Sequence, residues 1–426
     1  MFLRMCAVSV LGLSVSFAGE AKSAILFIGD GMGLAQVTAG RIYQKNARDG
    51  KLALDEFEEI AIIRDYAANF MVTDSAAAGT ALAAGHKTNN GMLGQLPDGT
   101  SVPSVLEMAK KAGKSVGVVT TTTITHATPA AFYAHVGSRA REDEIAAQLI
   151  ESGNVDIALG GGREFFVPKS AKEPESDGKS GRQDERDLIA EARAAGYTVV
   201  QRQSEFEEVV KRSQAGENVG KILGLFNNGQ MNYDVDRAND AWGEPSLAEM
   251  TTLAIDVLSN DPNGFFLMVE GGRIDHAGHA NQAKRLVTDM LAFDAAVRVG
   301  VDKTNKDETL IVVTADHETG GLAINGYGNI EIGGEELLTA TPAPSQGSIL
   351  SFASGPGAKE ESRAGAKPGD PGYTYPSLFY GSSAAHTGID ILAWASGPGS
   401  PKVKGTMLNS ELGRLIIDAL GVGGAQ

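Results

Sequence analysis

An apolar run that ends abruptly in polar residues constrains the fold of this chain more than any other stretch. Residues 265–269 are Phe-Phe-Leu-Met-Val, and Glu270, two glycines and a cluster of Asp and His follow through His279. A continuous apolar run favours a strand buried on both faces, and ligands bind at the carboxyl ends of parallel strands. Asp275 and His279 are four residues apart, so a helix would place both on one face, where they can bind one cation. The alternative is a polar loop with solvated histidines.

Other apolar runs show the same asymmetry between their two ends. Clusters of polar residues that could bind a ligand, such as Asp30, Asp74-Ser75, His126 and Asp316-His317, follow the runs at 24–28, 69–72, 115–120 and 310–313. Helical segments are predicted between such runs, among them a start near residue 34 and the spans 76–84, 102–111, 247–258, 283–299 and 410–420. The sequence therefore predicts an α/β fold, a three-layer sandwich with a central, mostly parallel sheet and one site at its carboxyl edge.

Net charge excludes one class of partner and restricts another. The 426 residues carry a formal charge of −16, whereas a nucleic-acid groove needs a basic stripe. An anionic small substrate would be repelled by this charge unless bound divalent metal ions offset it locally.

The N-terminus is typical of an exported protein. Residues 1–18 contain Arg4, an apolar segment through Phe17, and small residues at positions 16 and 18, which predicts a cleaved signal peptide and an exported protein, periplasmic or secreted. No later run is long enough to span a membrane, so no membrane span is expected in the mature chain. The single cysteine, Cys6, lies within the signal peptide, which excludes thiolate catalysis and cysteine-ligated zinc in the mature chain.

The segment 325–385 is rich in Gly, Pro, Ser and Tyr and has weak periodicity. We interpret it as a loop-rich insertion in a single catalytic domain spanning 19–426, and long insertions of this kind usually act as lids or interfaces.

The polar residues at the predicted strand ends form a set suited to metal binding. They include five of the seven histidines: Asp30, Asp74, Ser75, His126, Thr128, Arg139, Glu270, Asp275, His276, His279, Asp316, His317 and His386. Imidazoles and carboxylates without thiolates suit zinc, whereas an oxygen-only group such as Asp30, Thr128 and Glu270 suits magnesium. Two zinc ions about 3.5–4 Å apart could hold the attacking and leaving oxygens of a phosphoryl transfer.

Six separated motifs resemble those of the alkaline phosphatase family, in the family order. They are Gly29-Asp30-Gly31-Met32-Gly33, Thr73-Asp74-Ser75-Ala76-Ala77-Ala78-Gly79-Thr80, Ala127-Thr128-Pro129 with Ser138-Arg139, Val269-Glu270-Gly271-Gly272-Arg273-Ile274-Asp275-His276, Thr314-Ala315-Asp316-His317 and His386-Thr387-Gly388. The resemblance implies hydrolysis of small phosphate monoesters, two Zn²⁺ and one Mg²⁺ as cofactors, and a homodimer.

The resemblance also implies a role for each matching residue. Ser75 is expected to be the nucleophile that becomes phosphoserine, and Arg139 to hold the substrate phosphate, with Asp74 as its orienting neighbour. The expected metal ligands are Asp275, His279 and His386 for the first zinc, Asp30, Asp316 and His317 for the second, and Asp30, Thr128 and Glu270 for magnesium.

His126 and His276 stand at positions that vary in the family, with Asp or His at the first and Lys or His at the second. With histidine at both, the third metal need not be magnesium, and His276 could contact the substrate phosphate. The alternative is that both histidines only hydrogen bond to the metal ligands and substrate-binding groups.

Two further alternatives concern the activity itself. A phosphodiesterase, phosphomutase or sulfatase could use the same scaffold, although the residues after Ser75 lack the Pro and Arg expected in a sulfatase. A non-enzymatic exported protein that binds phosphate or metal is the other, but such a protein needs no serine beside a cluster of metal ligands.

Overall fold

The structure is a computed structural model that describes residues 21–172, 180–326, 328–341, 348–363 and 365–423. The predicted signal peptide lies outside the described residues. No helix among those described has both the length and the apolar character needed to cross a membrane.

Strands and helices alternate along most of the chain. The strands are β1 (Ser23–Gly29), β2 (Glu59–Arg64), β3 (Ser115–Thr123), β4 (Ile157–Gly161), β5 (Tyr197–Val200), β6 (Lys221–Leu225), β7 (Phe265–Gly271), β8 (Thr309–Ala315), β9 (Glu318–Thr319), β10 (Ala323–Ile324), β11 (Leu350–Gly355), β12 (Ser377–Tyr380), β13 (His386–Thr387), β14 (Ile391–Ser396) and β15 (Gly405–Leu408). The helices are α1 (Leu34–Gln44), α2 (Ser75–Ala84), α3 (Val105–Lys111), α4 (Ala127–Ala130), α5 (Glu142–Ser152), α6 (Leu188–Ala194), α7 (Gln203–Gln214), α8 (Leu247–Leu258), α9 (Arg273–His279), α10 (Ala283–Lys303), α11 (Glu335–Thr339) and α12 (Asn409–Ala419).

A ten-stranded sheet forms the centre of the fold, with the order β15-β2-β14-β8-β1-β7-β3-β4-β6-β5. Strand β1 pairs in parallel with β7 and β8, and β3 pairs in parallel with β7. Of these ten strands only β14 runs antiparallel to its neighbours. The prediction of an α/β fold with a mostly parallel central sheet is confirmed.

Helices cover both faces of the central strands because those strands are apolar on both sides. All seven residues of β7 are buried. The ring of Phe266 stacks on Phe132, which follows α4, with centroids 5.9 Å apart. Leu267 points to the opposite face, where it and Leu258 of α8 lie against Gly117. Adjacent residues of one strand thus contact different helical layers, as expected for a sheet enclosed by helices.

The predicted insertion is more ordered than its composition suggested. Its described residues include α11, β11 and β12, and β11 pairs with β10 and β12 to form a small three-stranded sheet. Asn281, just after α9, joins this region to the main fold. Its side-chain amide donates to the backbone carbonyl of Ser354 at 3.0 Å, and its backbone carbonyl accepts from the backbone N–H of Tyr375 at 2.7 Å.

The prediction of a strand at 69–72 is wrong. The segment has no strand pairing, because its polar groups bond to a neighbouring loop instead. The backbone N–H of Ala68 donates to the Thr88 carbonyl at 2.8 Å, and the Asn90 side chain donates to the Val72 carbonyl at 3.0 Å. The segment is therefore a connection into Ser75, not a further strand.

Candidate active site

Three carboxylates lie side by side where neighbouring strands end. In the sheet, Ile28 pairs with Glu270 on one side and with Thr314 on the other. Asp30 lies two residues beyond Ile28, and Asp316 lies two residues beyond Thr314. Both therefore reach the same edge of the sheet as Glu270. All three carboxylates are fully buried. The parallel sheet thus brings together acidic groups that are up to 286 residues apart in the chain.

Three groups of side chains offer ligand atoms that lie within 4.8 Å of one another in the described part of the chain. They are Asp30, Asp316 and His317; Asp275, His317 and His386; and Asp30, His126 and Glu270. His317 and Asp30 are each shared by two groups, so the three sites adjoin one another.

The first of these groups contacts the hydroxyl of Ser75 through His317. The Nε2 atom of His317 lies 3.2 Å from the Ser75 Oγ, 3.1 Å from Asp316 Oδ2 and 3.7 Å from Asp30 Oδ1. Ser75 and His317 are both buried. A cation held by these ligands would therefore lie close to the serine oxygen.

His279 is not a member of these groups but lies beside the second, and its imidazole faces that of His386. The Nδ1 atoms of His279 and His386 lie 2.6 Å and 3.0 Å from the carbonyl oxygens of Ala384 and Thr73. Because a carbonyl only accepts, each Nδ1 carries a hydrogen, and in the neutral rings both Nε2 atoms are lone-pair donors to a metal. These Nε2 atoms are 3.2 Å apart, and that of His279 is 3.2 Å from Asp275 Oδ2. This arrangement fits a zinc ion.

The third group contains two of the three oxygen ligands expected for magnesium, Asp30 and Glu270. One oxygen of Glu270 accepts hydrogen bonds from Thr120 and Thr122, whereas its Oε1 has no hydrogen-bond partner. The Thr128 Oγ1 and the His126 Nδ1 are also buried without a partner. His126 adds a nitrogen to this group, but Arg139 lies 3.0 Å from its Nε2 and can only donate, so in the neutral ring Nδ1 carries the hydrogen and is not a metal ligand.

Unpaired polar atoms concentrate at these groups. Half of the buried side-chain N and O atoms without a hydrogen-bond partner in the described chain belong to five of the candidate ligands: Asp30, His126, Thr128, Glu270 and Asp316. A buried polar atom without a partner is costly, and a coordinated cation supplies the missing partner. The residues present therefore fit divalent metal ions.

The carboxylate pKa values indicate the same need for positive charge. Burial, together with the charges of neighbouring carboxylates, raises the pKa of Asp30 well above its usual range, that of Glu270 to about 7 and that of Asp316 to about 6. Burial alone would also raise the pKa of Asp275, but its hydrogen bond and ion pair with His279 hold that pKa well below the usual range. A divalent cation would favour the ionised form of every one of these groups.

Asp74 joins the serine helix to the predicted phosphate-binding arginine. Its Oδ1 accepts from the backbone N–H of Ala77 at 3.0 Å and caps α2, whose first residue is Ser75. Its Oδ2 is 3.3 Å from Arg139, and another nitrogen of that guanidinium lies 3.0 Å from His126 Nε2. Asp74 thus links the positive end of α2 to the Arg139 guanidinium.

Comparison with known proteins identifies this arrangement. The alkaline phosphatase family model matches residues 21–422. The chain belongs to the alkaline phosphatase family. It is 34% identical to an alkaline phosphatase of Gadus morhua, over 91% of this chain and 89% of that protein, and 35% identical to the human tissue-nonspecific isozyme, over 80% and 71%. The Thermus thermophilus alkaline phosphatase structure superposes with a TM-score of 0.74 at 30% identity, over 95% of this chain and 92% of that one.

Family membership decides between the alternative activities. The chain is a phosphoric monoester hydrolase, as the resemblance implied. The sulfatase, phosphodiesterase and non-enzymatic alternatives are therefore set aside. The roles of individual residues in this alkaline phosphatase remain predictions, although the structure brings every residue of the predicted set to the same edge of the sheet.

Threonine hydroxyls that sequence reasoning missed hold several predicted ligands in place. Thr319 donates to Asp275 Oδ1 and lies 3.3 Å from His317 Nδ1, so one hydroxyl contacts ligands of two groups. Thr121 Oγ1 accepts from the backbone N–H of Gly272 at 3.0 Å, at the start of α9. The run of threonines after residue 119 was the only signal in the sequence, and it did not identify their partners.

The paired histidines at 126 and 276 lie against each other, with ring centroids 5.6 Å apart and planes nearly perpendicular. Burial, followed by the nearby Arg139, lowers the pKa of His126 well below its usual range. Burial, followed by Arg273, lowers the pKa of His276 to about 4. Both rings are therefore neutral near pH 7, which leaves their nitrogens available as specific donors and acceptors.

The carboxylate cluster should make the metal-free protein less stable as pH rises. Because the native pKa of Glu270 is raised from 4.5 to about 7, its protonated form is favoured in the native state, so its contribution to stability is fully present below about pH 4.5 and is lost as pH rises through about 7. Between pH 5 and 8, we expect the free energy of unfolding of the chelator-treated unchanged protein to fall by on the order of 1–3 kcal/mol more than that of chelator-treated Glu270→Gln. Urea unfolding at several pH values measures this difference, and parallel pH profiles for the two proteins would contradict it.

Proposed function

We propose that this alkaline phosphatase hydrolyses phosphate monoesters through a phosphoserine on Ser75, with two zinc ions and one magnesium ion. In this proposal Asp275, His279 and His386 hold the first zinc, and Asp30, Asp316 and His317 hold the second. Asp30, Thr128 and Glu270 hold magnesium. The observation that carries the proposal is the 3.2 Å contact between Ser75 Oγ and a histidine shared by two groups of candidate metal ligands.

The chain's own residues account for nucleophile placement and phosphate binding. Ser75 Oγ attacks phosphorus, its new bond forms as the bond to the alcohol oxygen breaks, and water then cleaves the serine phosphate to release inorganic phosphate. The bound cations would supply Lewis-acid activation and balance the negative charge. Arg139 binds phosphate oxygens through its planar fork, and Asp74 holds it in that orientation.

The start of α2 adds electrostatic support at the serine. Ser75 is its first residue, and the capping carboxylate of Asp74 fixes where the helix begins. Free backbone N–H groups and the positive dipole end of this ten-residue helix are therefore close to the serine oxygen. No separate histidine base is required if a cation stabilises the serine alkoxide.

The third site is proposed to take magnesium, with His126 as a neighbouring hydrogen-bond donor. A histidine-to-glutamate variant of the TAB5 alkaline phosphatase, whose structure is 29% identical to this chain at a TM-score of 0.72, is described with Mg bound in its M3 site. In this chain the His126 Nε2 contacts Arg139, while its Nδ1 is the atom left without a partner. Because Arg139 can only donate to Nε2, the neutral His126 ring carries its hydrogen on Nδ1, so it offers the third site a hydrogen-bond donor and not a metal ligand.

The protein is further proposed to be an exported homodimer that acts on a range of small phosphomonoesters. Residues 1–18 support export, and N-terminal sequencing of the secreted protein would locate the cleavage point. The edge strand β12 supports self-association, because Leu378, Phe379 and Tyr380 are 74%, 66% and 56% exposed on a strand with only one neighbour. Exposed apolar edges of this kind commonly mark interfaces.

Replacing the nucleophile should abolish the covalent intermediate. We expect Ser75→Ala to form no acid-stable phosphoenzyme and to lose at least about 10³-fold in kcat, since the attacking oxygen is gone. Ser104→Ala is the matched control, because Ser104 is a buried serine that caps α3. It should cost about 1 kcal/mol of stability and retain the phosphoenzyme. Rapid acid quench with ³²P-labelled substrate measures the phosphoenzyme in both variants. If the Ser75→Ala protein became labelled, Ser75 would not be the nucleophile.

Removing one carboxylate charge should empty a zinc site. In Asp316→Asn we expect elemental analysis to show about one zinc fewer per chain than in the unchanged protein, because carboxylate charge is lost beside His317. Asp65→Asn is the control: Asp65 is also buried but lies in none of the three ligand groups. Equal zinc content in all three proteins would show that Asp316 is not a ligand.

A charge on the exposed edge strand should weaken a dimer built on it. Phe379→Asp is expected to convert the protein to a monomer in light scattering at micromolar concentration, since a buried unpaired charge opposes association. Ile330→Asp, at a similarly exposed apolar residue outside β12, should leave the mass unchanged. If the unchanged protein is itself monomeric, the homodimer proposal is wrong.

A further inference from the structure

Helix α9 carries an arginine one turn before the second of the paired histidines. The Arg273 NH1 lies 2.8 Å from His276 Nδ1. Arginine is always a donor in proteins, so this Nδ1 must accept. The neutral His276 ring then carries its hydrogen on Nε2, at the opposite side of the ring from Arg273. A single contact therefore selects the tautomer of the histidine.

Arg273 is itself held by a loop that is distant in sequence. Its guanidinium lies over the ring of Tyr233, 3.8 Å from the ring centroid, in the connection between β6 and α8. A second guanidinium, Arg285 of α10, lies 4.6 Å from the same centroid and forms an ion pair with Asp236 at 2.7 Å. Two arginines thus contact the Tyr233 ring, and one of them is fixed by a carboxylate of the same loop.

The other end of this network reaches the proposed phosphate site. His276 packs edge-on against His126, and the Arg139 guanidinium contacts the His126 Nε2 at 3.0 Å. The substrate phosphate is proposed to bind beside these groups. A hydrogen on His276 Nε2 would be available there as a neutral donor, in addition to the charged donors of Arg139.

We propose that Arg273, held by Tyr233, is a positioning residue that keeps the His276 Nε2–H available to the substrate phosphate. The inference rests on the proposed phosphate site at Arg139. It assigns a function to the loop between β6 and α8, which the described mechanism does not use. The competing explanation is that Arg273 and Tyr233 only hold this loop against α9. In that case, replacing either residue would not change the tautomer of His276.

A spectroscopic measurement separates the two explanations without relying on turnover. In metal-loaded enzyme with ¹⁵N-labelled histidine, the His276 signals are assigned by their loss in His276→Gln. We expect a bare Nδ1 and a protonated Nε2 in the unchanged protein, and a mixture of tautomers in Arg273→Met. A protonated Nδ1 in the unchanged protein, or the same tautomer in Arg273→Met, would overturn the proposal.

Phosphate affinity supplies the functional readout. Arg273→Met should raise the inhibition constant of inorganic phosphate and KM by about five- to tenfold, with a smaller fall in kcat, because one hydrogen bond to phosphate is weakened. Tyr233→Leu should give a smaller increase, and Arg273→Gln, which retains an N–H donor, should recover part of the affinity. Arg298→Met is the control for charge, since Arg298 pairs with Glu56 on the exposed face of α10 and should change neither constant.

A double-mutant cycle completes the test. In a His276→Gln background, Arg273→Met should have no further effect on the phosphate inhibition constant, because the group that it positions is absent. Equal effects of Arg273→Met in both backgrounds would show that Arg273 acts independently of His276. Phosphoserine formation is measured in the same proteins. If the unchanged enzyme forms no phosphoserine, the proposed function is wrong. If it forms phosphoserine but Arg273→Met does not alter phosphate affinity, only this inference is wrong.

Discussion

Repulsion among buried carboxylates is the constraint on which the rest of this structure depends. Asp30, Glu270, Asp275 and Asp316 lie within one small region, all at most 4% exposed, and the pKa values of three of them are raised by burial and mutual charge. A chain gains nothing in stability from such an arrangement without cations, since each ionised carboxylate must be removed from water. Part of the folding free energy therefore maintains a site that is favourable only when divalent ions bind.

Strand direction explains how so many ligands reach one place. Parallel strands β8, β1, β7 and β3 end at the same edge, which brings Asp316, Asp30 and Glu270 together. The one antiparallel strand of the main sheet, β14, begins at this edge, so His386 just before it arrives there from the other direction. A short pairing of β13 with β9 then places His386 next to Thr319, and its ring stacks on His317 at 3.6 Å. A parallel β14 would have placed His386 at the opposite edge.

The sequence predicted features that depend on local pattern and missed features that depend on distant contacts. Apolar runs followed by Asp30, Glu270 and Asp316 were sufficient to predict buried parallel strands and a site at their ends. The strand at 69–72 was wrong because apolar character alone does not show that Asn90, far along the chain, satisfies that backbone. Thr319 was missed for a related reason: a lone threonine has no distinctive spacing, and its contacts with two ligands arise only when β9 folds against α9.

Shared atoms connect the serine, the phosphate-binding arginine and the predicted metals more closely than separate motifs suggest. One carboxylate, that of Asp74, both caps the serine helix and orients Arg139, so the nucleophile and the phosphate donor are fixed relative to each other. His126 accepts from that same arginine at Nε2 and belongs to the third ligand group. A hydrogen bond from its Nδ1–H to a group at that site would restrain the ring that contacts Arg139. Donors arranged in this way before substrate arrives need little reorganisation during phosphoryl transfer, which is the main way in which preorganised electrostatics accelerate such a reaction.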